Sequence, residues 1–259
     1  LPNTRFLYLP HCISLMRRDI GPVRRFAFAA LEWIAAIKTC EYIACSQSEQ
    51  SEIQRYVPFR TTHLVENAVL STTTKRTTEG KAKKIVTVGQ IRPQKGPLDF
   101  TVIARAVLKT HPNAEFVWIG DGDPAIRQRL EAAGVRVTGW LGRADVLDEL
   151  ALADVYLSTA HWEGMPVSVI EAMYAELPVV ASSCAGNVDV IRHGRTGWLF
   201  HTHDEAAALI ANLFADPVEA SRVASLARAE AHTRFASDRY ISEMDRLVGV
   251  TEQREAAAN

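Results

Sequence analysis

Cysteine is scarce in this sequence, and its placement excludes two common uses of the residue. Only four cysteines occur in 259 residues, at Cys12, Cys40, Cys45 and Cys184. None belongs to a Cys-x-x-Cys pair, and no pair of histidines completes a zinc-binding pattern. The spacing therefore favours free thiols in a reducing compartment over a disulfide framework or a structural zinc site.

Net charge and long apolar runs are also lacking. The formal net charge is −1, which argues against a dedicated nucleic-acid-binding protein. No apolar run reaches the roughly 20 residues needed to cross a bilayer, and no signal peptide is recognisable. We therefore expect a soluble cytoplasmic protein, with peripheral contact at the inner face of the membrane as the alternative.

The sequence does contain a regular alternation of strands and helices from residue 85 onward. Short apolar strands at Ile85–Val88 and Glu115–Ile119 are separated by a helix at Pro97–Lys109. This alternation predicts a parallel sheet covered by helices on both faces. Ligands of such sheets bind beyond the carboxyl ends of the strands, so we expect the functional residues there.

Composition divides the chain into four predicted parts. Residues 1–70 form a first part with two strands and two helices, and residues 71–84 are polar without periodicity, which is typical of a linker. The alternating part covers 85–215, and further helices fill most of 216–259. The helix at about Val23–Lys38 is apolar on most faces, which favours burial in the core over an interfacial stripe on a membrane.

The first part also holds a helix start and a basic cluster. Ser46 and Glu49 have the spacing of a capping box, which predicts that a helix begins there. Four arginines lie around the start of the apolar helix: Arg17, Arg18, Arg24 and Arg25. They either meet an acidic acceptor or lipid headgroups, or they form an ordinary solvated helix start.

The most informative stretch is residues 163–171, Glu-Gly-Met-Pro-Val-Ser-Val-Ile-Glu. A turn rich in small residues opens a helix, whose free N–H groups form a site for phosphate. The carboxylates of Glu163 and Glu171 on either side are suited to accept hydrogen bonds from hydroxyls. Phosphate flanked by hydroxyls describes a nucleotide sugar. The alternative for Glu171 is a solvated helix residue, but its segment is otherwise apolar and burial without a partner would be costly.

Four motifs in this order resemble the retaining glycosyltransferases of family four, which have the GT-B fold. They are the Glu163–Glu171 pair and the segments 172–181, 185–191 and 193–199. The resemblance extends over roughly residues 5–247. It implies an α/β protein with a Rossmann-like parallel sheet in the C-terminal domain, a partial Rossmann-like N-terminal domain, and last helices that pack back toward that domain. Most of the acceptor-binding half is not matched, and three explanations stay open: a truncated sequence, a companion chain that supplies the missing half, or a naturally shortened protein.

The resemblance also assigns roles around the helix start. Glu163 would contact hydroxyls of the donor sugar, and Glu171 the hydroxyls of the ribose. The backbone that receives the diphosphate would come from the four residues after Glu163: Gly164, Met165, Pro166 and Val167.

A second motif lies in the loop that follows the strand Ile85–Val88. The family pattern there is Gly-Arg followed by Lys-Gly, and Gly89, Lys95 and Gly96 match it. Arg and Lys in this loop would neutralise the departing diphosphate. Gln90 stands where the pattern has Arg and donates a hydrogen bond without charge. Arg92 substitutes for it if the loop turns its side chain inward, and otherwise both cations are ordinary surface residues.

Two further candidates come from the same resemblance. His11 follows a strand end where family members often have His-Gly, and there the histidine reaches the donor sugar. Cys12 replaces the glycine. The segment that ends in Trp140 and Leu141 resembles one whose backbone contacts the base, and Trp140 either stacks or belongs to the core.

The expected function is front-face sugar transfer with retention, from a nucleotide-diphosphate sugar to a glycan, lipid-linked or small-molecule acceptor. The donor's own phosphate would assist deprotonation of the acceptor, and the protein would position groups and stabilise charge. No metal or other cofactor is implied, and no nucleic-acid partner. The alternatives are a non-catalytic nucleotide-sugar-binding domain, which Gln90 and the unmatched half favour, and a GT-B epimerase, whose histidine and carboxylate pattern is missing. Base, sugar and acceptor are left open.

Overall fold

The computed structural model describes residues 5–37, 40–70 and 83–249. Most of the predicted linker, 71–84, lies outside these ranges. The strands are β1 Phe6–Tyr8, β2 Cys40–Ala44, β3 Thr62–Leu64, β4 Lys84–Val88, β5 Glu115–Ile119, β6 Arg136–Val137, β7 Val155–Ser158, β8 Val179–Ser182 and β9 Trp198–Phe200. The α-helices are α1 Pro22–Ile37, α2 Gln47–Tyr56, α3 Pro97–Leu108, α4 Pro124–Ala132, α5 Arg143–Ala151, α6 Val167–Tyr174, α7 Asn187–Val190, α8 His203–Ala215, α9 Pro217–Arg234 and α10 Ser237–Val248.

The strands form two sheets in which every pairing is parallel. The first sheet has the order β1-β2-β3, and the second has the order β6-β5-β4-β7-β8-β9. In the second sheet the chain starts at β4, moves outward through β5 and β6, and then returns to the other side of β4 with β7. The topological switch point therefore lies between β4 and β7, and a ligand crevice is expected beyond their carboxyl ends.

Helices cover both faces of the six-stranded sheet, as the alternation predicts. On one face α6 buries Val169, Ile170 and Met173 against the strands and against α9. On the other face Phe100 of α3 makes edge contacts with Phe116 and Trp118 of β5, with ring centroids 5.7 and 5.4 Å apart. These two apolar layers fix the sheet, so that the loops at its carboxyl edge project from a rigid support.

The predicted helix start at Ser46 is confirmed. The Ser46 side-chain oxygen accepts a hydrogen bond from the N–H of Glu49 at 3.1 Å, which satisfies one of the free donors of the first turn of α2. The Glu49 carboxylate, however, does not serve its own helix start alone. It bonds to residues outside α2, a point that matters for the site.

The prediction that the first helix is buried in the core is wrong. Within α1 only Ala36 is fully buried, while most of its large apolar side chains are exposed: Val23, Phe26, Leu31, Trp33, Ile34 and Ile37. The helix has 16 residues, whereas the strands of the first sheet have three to five. So short a sheet covers only one side of a helix that is apolar on most sides.

The last helices contact the segment after β3. The Val69 N–H donates to the Phe235 carbonyl at 3.0 Å, and the Arg239 guanidinium donates to the carbonyls of Glu66 and Asn67. An ion pair joins Arg234 to the Glu66 carboxylate. The four-part division of the chain stays a prediction. Among the described helices, none is long and apolar enough to cross a bilayer.

Candidate functional site

The loops at the topological switch point bring together Lys95 and Glu163. Lys95 lies in the loop after β4, and Glu163 in the loop after β7. The Lys95 Nζ atom is 2.7 Å from Glu163 Oε1, with 19% of the lysine and 9% of the glutamate side chain exposed. Two groups that are 68 positions apart in sequence thus form a largely buried ion pair where a parallel sheet of this order is expected to bind its ligand.

Gln94 fastens the same two loops to each other. Its side-chain amide donates to the Trp162 carbonyl at 2.9 Å and reaches Glu163 Oε2 at 3.5 Å. The backbone carbonyl of Gln94 accepts a hydrogen bond from the N–H of His161 at 2.8 Å. The Glu163 N–H donates to the Ala185 carbonyl at 2.9 Å. Glu163 is thereby held by side-chain contacts from the loop after β4 and by a backbone contact from the loop after β8.

A cleft of about 640 Å³ opens beside this pair. It is lined by residues of the first part of the chain and of the switch-point loops: His11, Cys12, Ser14, Arg17, Asp19, Cys45, Asn67, Arg92, Pro93, Gln94, Trp162, Glu163, Gly164, Met165 and Val167. Six of the predicted site residues are in this set. Arg17, Asp19 and Asn67 add hydrogen-bonding groups on the side opposite the six-stranded sheet. No motif in the sequence indicated Asp19 or Asn67.

The start of α6 faces this cleft with free donors. Pro166 immediately precedes the helix, and its carbonyl accepts from Val169 and Ile170 at 3.1 and 3.2 Å. For the N–H groups of Val167 and Ser168, no acceptor is found in the described part of the chain. Such unpaired donors at a helix start, together with the helix dipole, suit a phosphate group.

Two glycines allow the loop of Glu163 to pack closely. A Cβ atom on Gly164 would lie 2.8 Å from the Cys12 nitrogen, and one on Gly186 would lie 2.6 Å from the Cβ of Glu163. The first contact joins the loop of Glu163 to the first part of the chain. The second places α7 directly behind Glu163, so a side chain at either position would displace the site.

In the loop after β4 the structure separates Arg92 from Gln90. Arg92 is exposed and lines the cleft, so the loop does direct this cation to the site. Gln90 is exposed and is not among the lining residues. Gly89 has a φ of 158° and contacts the aliphatic part of Lys95, since a Cβ there would be 3.2 Å from the lysine Cε. The cationic side of the loop is therefore formed by Arg92 and Lys95.

His11 lies in the cleft on a strained turn. The φ angles of His11 and Cys12 are 48° and 89°, both in the left-handed region that disfavours side chains. Burial, with a smaller contribution from the charges of Glu49 and Glu163, raises the pKa of the Cys12 thiol to about 12. The thiol is therefore neutral. Cys12, Cys45 and Cys184 are all free, and the side chain of Cys40 lies outside the described part.

Glu171 faces an arginine that sequence reasoning did not single out. The Arg143 Nη1 atom at the start of α5 is 3.8 Å from Glu171 Oε1. Burial raises the pKa of Glu171 above its usual value, and the charge of Arg143 partly opposes this. The carboxylate thus keeps a loose partner and spare hydrogen-bonding capacity. Glu171 is not among the residues that line the cleft, but it follows them on α6.

The predicted base-contact segment lies at the carboxyl edge of the sheet, after β6. Trp140 is 66% exposed, so the alternative that it belongs to the core is wrong. Leu141 is partly buried and packs against the core beneath α6. Asp121 and Asp123, which have Asp-x-Asp spacing, are both engaged. Asp121 pairs with Arg127 at 2.7 Å, and Asp123 caps α4.

Comparisons with known proteins identify the family and the fold of the chain. The family model of the glycosyl transferases of group 1 matches residues 82–216, more than half of the chain. A UDP-Gal:α-D-GlcNAc-diphosphoundecaprenol α-1,3-galactosyltransferase of Escherichia coli is 30% identical over 131 residues, which are 45% of this chain and 32% of that protein. The chain therefore spans about a third of the length of this curated relative.

Solved structures show the same fold. Anabaena HepE, in complex with UDP and glucose, is 20% identical with a TM-score of 0.81, over 94% of this chain and 71% of that one. Staphylococcus aureus TarM, in complex with fondaparinux, α-GlcNAc-glycerol and UDP, is 20% identical with a TM-score of 0.82, over 93% of this chain and 50% of that one. Together with the family match, these likenesses show that the chain belongs to the glycosyl transferases of group 1 and has the GT-B fold.

Proposed function

We propose that this chain binds a nucleotide-diphosphate sugar and takes part in transferring the sugar to an acceptor with retention of configuration. The observation that carries the proposal is the Lys95–Glu163 pair at 2.7 Å. It lies at the topological switch point, at the edge of a cleft and beside the free N–H groups of α6. The helix start suits the diphosphate of such a donor, and the lysine suits the negative charge that develops on the diphosphate as it leaves. The carboxylate suits the hydroxyls of the sugar.

Each group has a distinct task in the proposed reaction. The start of α6 holds the diphosphate, with Glu171 on the ribose and the segment of Trp140 and Leu141 near the base. Glu163 accepts hydrogen bonds from the sugar, and His11 approaches the sugar from the other side of the cleft. Lys95 and Arg92 face the diphosphate and stabilise the charge that develops on it.

The bond changes need no group beyond donor and acceptor. The bond between the anomeric carbon and the diphosphate oxygen breaks, and its electron pair leaves with the diphosphate. An acceptor hydroxyl forms the new bond on the same face and passes its proton to the departing phosphate. The side chains position and stabilise these groups, so we propose that turnover needs no metal ion and survives a chelator.

UDP-sugars are the first donors to test, since the E. coli relative uses UDP-Gal and the solved HepE and TarM structures contain UDP. The acceptor is a glycan, a lipid-linked sugar or a small molecule. An additional N-terminal segment, or a companion chain, would pack beside β1, at the edge of the first sheet, and on the exposed apolar face of α1. We propose a cytoplasmic location, with peripheral membrane contact if the acceptor is lipid-linked.

A second candidate function is donor binding without turnover. It is favoured by the position of Gln90, which brings no charge to the loop and lies outside the cleft lining. Titration calorimetry with UDP, GDP and UDP-glucose tests binding, and release of UDP from UDP-glucose tests turnover. If UDP binds but is never released from UDP-glucose, whichever acceptor is added and whether or not the chain is extended, the second candidate is supported. No measurable affinity for any nucleotide would refute both.

Replacing Glu171 with glutamine is expected to weaken UDP binding by about tenfold to a hundredfold, because a charge-assisted hydrogen bond to the ribose is lost. Calorimetry measures the affinity. Glu131→Gln is the matched control, since this exposed carboxylate on α4 pairs with Arg127 and should leave affinity unchanged. Equal affinities in the two variants would remove Glu171 from the site.

On acidification, UDP affinity should begin to fall at a higher pH than it would if Glu171 had the pKa of an ordinary carboxylate. Burial raises the pKa of Glu171 above 4.5, and only the ionised form accepts two hydroxyl hydrogen bonds. Affinity is therefore highest above the raised pKa and decreases as pH falls through it. Protonation of the nucleotide affects wild type and Glu171→Gln alike, so the difference between their profiles isolates Glu171. Parallel profiles would contradict the assignment.

A further inference from the structure

The Glu49 carboxylate has an unusual set of partners for a helix residue. It is fully buried, and its Oε1 atom accepts from the N–H groups of Cys12 and Ile13 at 2.6 and 2.7 Å. Its Oε2 atom accepts from the N–H of Cys45 at 2.8 Å. Three backbone donors thus converge on one carboxylate, and two of them belong to the turn that carries His11.

That turn needs an external constraint. His11 and Cys12 both have positive φ, and two successive side-chain-bearing residues in this region are disfavoured. Glycine would remove the penalty at position 12, but the sequence has cysteine there. Consecutive backbone N–H groups in such turns form a concave site for an anion, and here Glu49 supplies that anion.

The His11–Cys12 turn and the loop of Glu163 are in direct contact, so a shift in one displaces the other. The Cys12 nitrogen lies where a Cβ on Gly164 would come within 2.8 Å. Asp189 adds a second connection, because its carboxylate accepts from Ser48 at 3.1 Å and from Gly186 at 3.0 Å. Gly186 packs behind Glu163. The start of α2 is therefore tied to both sides of the cleft.

We propose that Glu49 is a positioning residue, which holds the left-handed His11–Cys12 turn so that His11 faces the donor sugar. The expected effect on turnover rests on the proposed function. The statement that Glu49 holds the turn rests on the three hydrogen bonds alone. Since Glu49 does not line the cleft, it acts through the turn and makes no contact of its own with the donor.

Glu49→Gln tests the proposal, because glutamine keeps the shape and replaces one acceptor by an amide donor. UDP release from UDP-glucose is expected to slow by about tenfold to a hundredfold in kcat, as for a misplaced catalytic group. UDP affinity should stay within about twofold, since the diphosphate site is on α6. Glu52→Gln, the same substitution one turn along α2, is the matched control and should behave as wild type.

Adding Cys12→Gly separates positioning from mere stability. Glycine adopts the left-handed turn without the carboxylate, so the double variant should recover most of the lost kcat. A Glu49→Gln variant as active as Glu52→Gln would overturn the proposal, and so would a double variant that recovers nothing.

Hydrogen exchange distinguishes this proposal from the proposed function. Exchange of the Cys12 and Ile13 amides should accelerate in Glu49→Gln and not in Glu52→Gln, whether or not the chain turns over a donor. If the wild-type chain binds no nucleotide, the proposed function fails while exchange still decides the geometry. Unchanged exchange in Glu49→Gln overturns the proposal even in an active enzyme.

Discussion

Gly96→Ala is expected to lower the free energy of unfolding by about 3 kcal/mol and to abolish donor binding. Gly96 has a φ of 61°, where alanine is strained, and a Cβ there would be only 1.9 Å from the Thr159 carbonyl oxygen. The position of the Cβ is fixed by the backbone of residue 96 and the Thr159 carbonyl is itself backbone, so no side-chain rotation relieves the clash. The loop after β4 must move from the end of β7, and Lys95 moves with it.

Thr159 shows why this contact is so close. Its hydroxyl lies 3.0 Å from the Lys95 carbonyl and 2.9 Å from the Gly96 carbonyl. The end of β7 therefore holds the loop that presents Lys95, in the same place where the chain continues toward Glu163. A displacement here separates the two members of the ion pair.

Gly134→Ala is the control that separates strain from collision. Gly134 also has a positive φ, 82°, but nothing lies within 4 Å of a Cβ at that position. It should cost only about 1 kcal/mol, the penalty of a left-handed alanine alone. Chemical denaturation and UDP calorimetry measure both variants. Equal losses of stability, or intact UDP affinity in Gly96→Ala, would contradict the proposed packing.

The position of the candidate site could be anticipated from sequence because it depends on regular features. Alternating strands and helices predict a parallel sheet, and the chemistry-bearing loops after β4 and β7 follow apolar strands that are easy to recognise. What sequence does not supply is the strand order. Only the observed order places β4 beside β7, and this adjacency converts Lys95 and Glu163 from two separate motifs into one ion pair.

Local sequence patterns are less informative where a side chain forms its contacts outside the helix or strand that carries it. Ser46 and Glu49 indicate a helix start, and the start is where expected. The carboxylate of Glu49 nevertheless bonds to a turn 36 residues away, which periodicity cannot reveal. Arg143 beside Glu171 is a similar case, because the contact joins two helices that no sequence rule pairs.

The exposed face of α1 shows a different limit. Apolar residues on most sides of a helix normally indicate burial. The inference fails here because the first sheet, as far as residues 5–37 and 40–70 describe it, has three short strands. Whether an apolar helix is covered depends on what surrounds it, and this information is not contained in the helix itself.

Lys95→Ala is expected to reduce kcat for donor turnover by about a hundredfold to a thousandfold, the usual effect of removing one group that stabilises developing charge. UDP affinity should fall less, by about tenfold, because charge on the leaving diphosphate is greatest in the transition state. Release of UDP from UDP-glucose and calorimetry measure the two quantities. Lys109→Ala, which removes an exposed lysine after α3, is the control.

The ion pair adds a second, separable effect to this variant. Without Lys95, the one side-chain partner left to Glu163 among the described residues is Gln94, at 3.5 Å. A largely buried carboxylate is then undercompensated. Part of the loss would then come from a displaced Glu163 and not from the leaving group. In Glu163→Gln the lysine still faces the diphosphate, so adding Lys95→Ala should cost less than it does in wild type if the pair acts as a unit. Strictly additive losses would show that the two side chains work independently, and an undiminished kcat in Lys95→Ala would remove this lysine from the reaction.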